Sequence, residues 1–291
     1  MRIFRIWQSG WRLLLLLVLL VVINGLYANV AAHPPVASGQ PGALLYAAGF
    51  DGFLDEWTQD PGRDSQQIVD GVMRVSVTTS NTIYSAAKPL YGDFDASVTL
   101  RSVGGSEQNE GEGLIFRLQE RSCDMPLPLM CDLNHVDVLN IPLRMVFRPQ
   151  EHQNGYYMFL ISSDGYYALG KYDEKAGGLA LVTVWHDSDG LINTGLNVDN
   201  RVRVVGRGDQ FQFFINGRAV ELCVPNSGEQ PTGNAKDCRG QHVSVWQDSA
   251  YPIGKLGVVV HTEQYPGSVV EFDNFTVTMP STGTGTPGAQ L

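Results

Sequence analysis

The chain is written in short runs of apolar residues, many alternating with polar ones, that are separated by turn residues, and no window sustains a helical period. The densest stretch is 155–217. There Tyr156-Tyr157-Met158-Phe159-Leu160-Ile161 leads through Ser162-Ser163-Asp164-Gly165 into Tyr166-Tyr167-Ala168-Leu169, and Phe211-Gln212-Phe213-Phe214-Ile215 runs into Asn216-Gly217 and a further strand. Aromatic and branched residues bounded by such turns predict antiparallel sheet. The same pattern predicts strands over 44–50, 68–77, 83–87, 94–101, 113–119, 156–162, 166–172, 179–186, 201–206, 211–215, 218–224, 255–261 and 269–278. Turns every ten or so residues suit an all-β sandwich or barrel.

Register follows from burial. A three-residue loop, Ser163-Asp164-Gly165, with Gly165 in the left-handed conformation, pairs Phe159 with Leu169 and Ile161 with Tyr167. It sends Tyr157, Phe159, Ile161, Tyr167 and Leu169 to the core, and Tyr156, Met158, Leu160, Tyr166 and Ala168 to the opposite face. That second face is too apolar to be left simply to water. In one reading the 120–153 insertion covers it, with Leu127, Leu129, Met130 and Val146 as covering groups. In the other it is a ligand platform, because Tyr and Trp offer flat apolar faces with polar edges to sugar rings. The platform residues are then Tyr156, Met158 and Tyr166, with Arg117, Trp185 and His186 as neighbours.

The ends of the chain differ from its middle. Arg2, Arg5 and Arg12 precede an apolar run from Leu13 to Ile23 and small residues ending in Val30-Ala31-Ala32, the layout of a secretory signal. Residues 1–32 are therefore expected to be a leader helix cleaved after Ala32, with an uncleaved anchor as the alternative. Residues 33–43 read as a linker and 280–291 as a disordered Thr, Gly and Pro tail. The sandwich is expected over 44–279, interrupted by insertions at 120–153 and 225–253.

A formal net charge of -10, with 20 Lys and Arg against 30 Asp and Glu, excludes a basic nucleic-acid footprint. Membrane contact is expected through the N-terminal segment alone. The four cysteines, Cys123, Cys131, Cys223 and Cys238, all follow the leader, and an even count in an exported chain implies disulfides. Three connectivities exist; sequence-local pairing, Cys123 with Cys131 and Cys223 with Cys238, closes the shortest loops.

The order of motifs resembles the concanavalin A-like lectin/glucanase superfold, and more narrowly extracellular domains similar to the 3-keto-disaccharide hydrolase-like and laminin G-like families. It is carried over roughly 46–279 by Phe50-Asp51 with Trp57, Gly113-Leu114-Ile115-Phe116-Arg117, Tyr156-Tyr157 to Phe159, Gly165-Tyr166-Tyr167, Lys171, Trp185, Ile215-Asn216-Gly217, Gly254 to Gly257, and Phe272-Asp273-Asn274-Phe275-Thr276-Val277. The resemblance implies a jelly roll of two antiparallel sheets, often with a carbohydrate-binding concave face.

Catalytic signatures are weak by comparison. A retaining glycosidase needs two carboxylates about 5 Å apart, and the Glu-x-Asp-x-x-Glu spacing of this superfold's glucanases is absent. Glu107, Glu110 and Glu112 read as a solvated acidic approach to a strand. Asp187-Ser188-Asp189-Gly190 opens like a calcium loop but lacks the later ligands, so it reads first as a turn, with Asp187 and Asp189 as candidate calcium ligands. The six histidines form no zinc motif and no nucleophile elbow is present. The expectation is an exported, non-catalytic binding or adhesion module for a carbohydrate or another cell-envelope component. The alternatives are a glycoside-processing hydrolase of the same fold and a structural envelope protein whose concave face is plugged.

Overall fold

The computed structural model describes residues 19, 36–52, 56–105, 111–119, 154–226, 229, 234–235, 237–262 and 267–281. Apart from residue 19 these belong to one of two units of the chain, Val36–Glu120 with Gln153–Leu291. The leader apart from residue 19, Cys123 and Cys131, the expected covering residues Leu127, Leu129, Met130 and Val146, and Glu107 and Glu110 lie outside the described residues.

Two sheets make the described unit. The first runs Asn234–Ala235, Trp185–Asp187, Tyr166–Asp173, Gly155–Ile161, Gly111–Gln119, Lys255–Thr262, Asn81–Ala86, with Gly178–Leu181 also on Tyr166–Asp173. The second runs Arg218–Val220, Gln210–Ile215, Asn200–Arg207, Phe94–Gly104, Ser268–Thr278, Val72–Val77, Ser65–Val69, with Leu44–Ala48 and Trp246–Gln247 attached. All the long strands pair antiparallel, so the architecture is the expected all-β sandwich.

Alternation along the strands builds the core between the sheets. Phe116, Tyr157 and Phe159 of the first sheet meet Phe211 and Phe213 of the second, with Phe116 and Phe211 ring centroids 5.3 Å apart and Phe159 and Phe213 4.9 Å apart. Tilted ring pairs at these distances add to the roughly 2 to 3 kcal/mol that burying each large apolar side chain contributes. The 155–173 hairpin has the expected register: Phe159 faces Leu169, Ile161 faces Tyr167, and Gly165 takes φ 100°. Asn216, at φ 49°, makes the expected tight turn with Gly217.

Elsewhere the strand plan needs correction. The 68–77 segment is a hairpin, Ser65–Val69 against Val72–Val77, because Asp70 and Gly71 both take positive φ. The 179–186 segment is two strands, since Val182 and Thr183 both donate their N–H groups to the Leu169 carbonyl instead of continuing the ladder. The linker contains Val36–Ala37, which pairs in parallel with Leu90–Tyr91. The 225–253 insertion is not all surface: Trp246 and Tyr251 are buried in the core, and Cys223 is bonded to Cys238.

One irregularity governs the first sheet. The ladder between Gly111–Gln119 and Gly155–Ile161 shifts between Phe116 and Gln119, and Arg117 sits in this β-bulge at φ 56°. Phe116 stays inward, Arg117 follows it inward, and Leu118 turns outward. The extra residue is wedged against Gly254, where an added Cβ would lie 2.6 Å from the Arg117 Cα. Gly254→Ala is therefore expected to destabilise the fold by about 2 to 3 kcal/mol, read as a lower urea midpoint at unchanged slope. An unchanged midpoint would show that bulge and Gly254 strand are not tightly opposed.

Candidate functional site

The outer face of the first sheet is a second apolar cluster. Ile115, Met158, Leu160 and Val259 are fully buried there, together with Leu118, Ala86 and Tyr156, and Tyr84, Tyr172, Leu179 and Trp185 pack against them. Tyr156 stacks on Tyr172 with centroids 5.0 Å apart and planes 10° apart, and lies 5.9 Å from the Tyr84 ring. Trp185 reaches back across the sheet: a Cβ added at Gly111 would meet its Cη2 at 2.7 Å, so the glycine makes room for the indole. The floor of this face is closed to solvent, whereas its aromatic rim of Tyr84, Tyr166, Tyr172 and Trp185 is half-buried.

Four of the expected platform residues, Tyr156, Met158, Tyr166 and Trp185, share this face. Tyr156 and Met158, however, lie in the closed floor, 7% and 0% exposed, and are not contact residues as the face stands. His186 follows Trp185 along one strand and so points the other way, its ring edge-on to Tyr167 at 5.5 Å. Arg117 is removed by its bulge.

Arg117 instead ties together the end of the sandwich. Its guanidinium is fully buried beside the Phe94 and Phe211 rings, 5.4 and 5.6 Å from their centroids. It donates to the carbonyls of Tyr91 at 3.1 Å, Gly208 at 2.8 Å and Pro252. Burial pushes it down to about 10, so it remains a cation at neutral pH. Nearby, Lys171 donates to Asp248 Oδ2 at 2.7 Å, and Tyr157 donates its hydroxyl to Oδ1 at 2.7 Å. The Lys171 ammonium lies 5.5 Å from both the Tyr157 and Tyr251 rings. Burial opposes ionisation of Asp248, but hydrogen bonds from Lys171, the Ala250 N–H and Tyr157 outweigh it and hold the carboxyl below its usual range.

Asp187 and Asp189 form a turn. The Asp189 N–H donates to Asp187 Oδ1 at 2.9 Å, with Asp189 at φ 50°, which uses the carboxylate locally. Among the described residues no three His, Cys, Asp or Glu side chains gather as a metal set. Glu112 is not in a solvated loop: it is 2% exposed and accepts from the Ser102 hydroxyl at 2.6 Å, reaching from one sheet to the other.

The outer face of the second sheet carries ion pairs that follow from polar alternation along its strands. Arg203 binds Asp95 with two bonds of 2.6 Å and lies 4.5 Å over the Phe214 ring. Glu271 accepts from Arg74 and Arg101, each at 2.8 Å. Burial opposes its ionisation too, but the two guanidinium groups hold the carboxyl low.

Because Asp248 and Glu271 are depressed in the folded chain, their contribution is full above the unfolded carboxylate range near pH 4 and is lost as pH falls through their lower folded values. Urea midpoints should accordingly be flat from pH 7 to about 5 and fall below about 4. Asp248→Asn should be weaker at neutral pH with a shallower acid decline. Parallel acid curves for the two proteins would remove Asp248 from this account.

No family model and no curated protein matches this chain. Solved structures similar to it include the carbohydrate-binding module CBM66 from Bacillus subtilis, at 12% identity and TM-score 0.44 over 84% of this chain and 99% of that one. A Bacillus subtilis protein of unknown function with a galectin-like fold is similar at 12% identity and TM-score 0.47, over 82% and 97%. The carbohydrate recognition domain of Emp47p is similar at 12% identity and TM-score 0.39, over 81% and 95%. Likenesses in this range leave the ligand open, and the two-sheet architecture stands on the chain's own strand pairing.

Proposed function

We propose that the chain is an exported, non-catalytic carbohydrate-binding module of the cell envelope, with contacts made by the half-buried rim of Tyr84, Tyr166, Tyr172 and Trp185. The observation that carries this reading is the rim itself: four aromatic side chains, each keeping part of its surface in water, border one face of a single sheet. Such rings offer flat apolar area and, through Tyr hydroxyls and the indole N–H, polar edges suited to a sugar. Tyr156 and Met158 then act from beneath, fixing Tyr172 and the strands that carry the rim.

A non-catalytic role is supported by the carboxylate count. Among the described strand residues facing outward on this sheet, Asp187 alone bears a carboxylate, and hydrolysis of a glycosidic bond usually takes two. Export is supported by the Cys223–Cys238 disulfide, a bond that persists in oxidising compartments. A second reading is favoured by the full burial of Met158, Leu160, Ile115 and Val259: the face is a structural layer and binds no small ligand.

A glycan array on the purified chain, with and without calcium, separates the two. Saturable binding to one glycan class is expected, weakened about tenfold, or ~1.4 kcal/mol, by Trp185→Ala in a chain that still folds, with a lower melting temperature because the indole packs over Gly111. A folded chain that retains no glycan in either condition would replace the binding reading with the structural one.

A further inference from the structure

Trp185 stands on a strand near the edge of the first sheet. Trp185–Asp187 is three residues long, and on the side toward the sheet centre Asp187 and His186 pair with Tyr166 and Tyr167. On its other side Asn234–Ala235 pairs with it in parallel, Trp185 against Asn234 and His186 against Ala235, and ends the sheet there. Half of the strand's pairing therefore comes from a two-residue strand. Two residues of parallel ladder, the weaker kind of pairing, are too few to hold a segment in place unaided.

The Cys223–Cys238 disulfide supplies what the pairing lacks. It joins residues 15 apart in sequence on either side of Asn234–Ala235, and closing a loop of that size removes chain entropy that the short ladder would otherwise have to offset. The Cys223 end is itself seated against this edge of the sheet. Tyr167 donates its hydroxyl to the Glu221 carbonyl at 2.7 Å, which fixes the start of the Leu222–Val224 strand. His242 sits opposite Cys223 in the small sheet with Gln241–Val243, and its ring meets the His186 ring edge-on, 6.2 Å between centroids. Cys223 is 2% exposed and Cys238 is half-buried, so a reductant reaches the bond at the Cys238 sulfur.

We propose that this disulfide is a redox-sensitive clasp on the Trp185–Asp187 strand, so that reduction by a thiol loosens Trp185 and lowers glycan affinity while the sandwich stays folded. The effect on affinity rests on the rim reading above. In the step, a thiolate attacks the Cys238 sulfur and Cys223 leaves as a thiolate; a second reductant thiol then displaces Cys238. The protein gains two thiols and the reductant leaves as one disulfide. Without the clasp Asn234–Ala235 leaves the edge, and the indole loses the backbone that aims it across the sheet at Gly111. The opening is local, because Phe159 and Phe213 pack between the sheets from strands outside the closed loop.

The test is amide hydrogen exchange of the oxidised chain, of the chain reduced with dithiothreitol, and of Cys223→Ala/Cys238→Ala, beside the glycan affinity of each. The double variant separates this bond from any effect of Cys123 and Cys131, and reduction of the folded chain keeps the proposal open to refutation where the variant fails to fold. Exchange over 185–187 is expected at least tenfold faster without the bond, with 156–160 unchanged. Affinity is expected to fall about tenfold, a loss that reduction does not add to Trp185→Ala. Unchanged exchange over 185–187, once alkylation confirms Cys223 and Cys238 as free thiols, would overturn the clasp whether or not glycan binds. An equal affinity loss on reducing Trp185→Ala would overturn its action through the indole. A chain that binds no glycan but shows the faster exchange would uphold the clasp and remove the rim reading alone.

Discussion

The Arg117 guanidinium, sealed beside Phe94 and Phe211 and donating to three carbonyls, is the joint on which one end of the sandwich depends. Its partners come from three places: Tyr91 ahead of a strand of the second sheet, which also exchanges two backbone hydrogen bonds with Gly254; Gly208 at a hairpin turn of that sheet, whose N–H donates to Asp93; and Pro252 at the entry to a strand of the first. A cation in such a setting is stable because every carbonyl dipole and both ring faces oppose its charge, and desolvation lowers its proton affinity without neutralising it. The bulge that delivers it also sets the faces. With Arg117 taken as the extra inward residue, Phe116 joins the core and Leu118 joins the outer cluster, so one displaced residue keeps both apolar layers intact.

Beyond that joint, the two sides of the first sheet have different characters. The inner side is an aromatic core in which Lys171 and Tyr157 are committed to Asp248 and Tyr167 to the Glu221 carbonyl, while His186 Nδ1 and Arg117 Nε are buried without a hydrogen-bond partner. The outer side has a closed apolar floor with aromatic rings standing at its margin. The second sheet presents its charges outward in fixed pairs, Arg203 with Asp95 and Glu271 between Arg74 and Arg101, which satisfies them without an obvious partner. The unequal treatment of aromatic groups, buried on one face and half-exposed around the other, is what makes the rim the place to look for a ligand.

Local chemistry was legible in the sequence and long-range chemistry was not. The 155–173 hairpin could be registered from its own residues, because a slip would have opposed Phe159 to glycine, and Asn216-Gly217 declared its turn. The sequence-local pairing of Cys223 with Cys238 needed no more than loop length. Arg117 was misplaced because strict alternation points it outward, and a bulge is decided by what lies across the sheet, here Gly254. Trp185 and His186 were grouped as neighbours although adjacent strand residues face opposite ways. Glu112 read as solvated because its hydrogen-bond partner, Ser102, belongs to the other sheet. Trp246 and Tyr251 looked like loop residues because no periodic pattern surrounds them, yet their partners, Phe211 and Tyr157, wait in distant strands.

The most direct measurement of the central claim is methyl NMR of the methionines during titration with a glycan that the chain binds. Met158 lies in the floor beneath the aromatic rim, and Met73 lies in the core facing the other way. If the outer face of the first sheet is the binding surface, the Met158 methyl resonance shifts along the binding isotherm while Met73 stays fixed. Saturable glycan binding that leaves Met158 unmoved would place the ligand elsewhere and contradict the account.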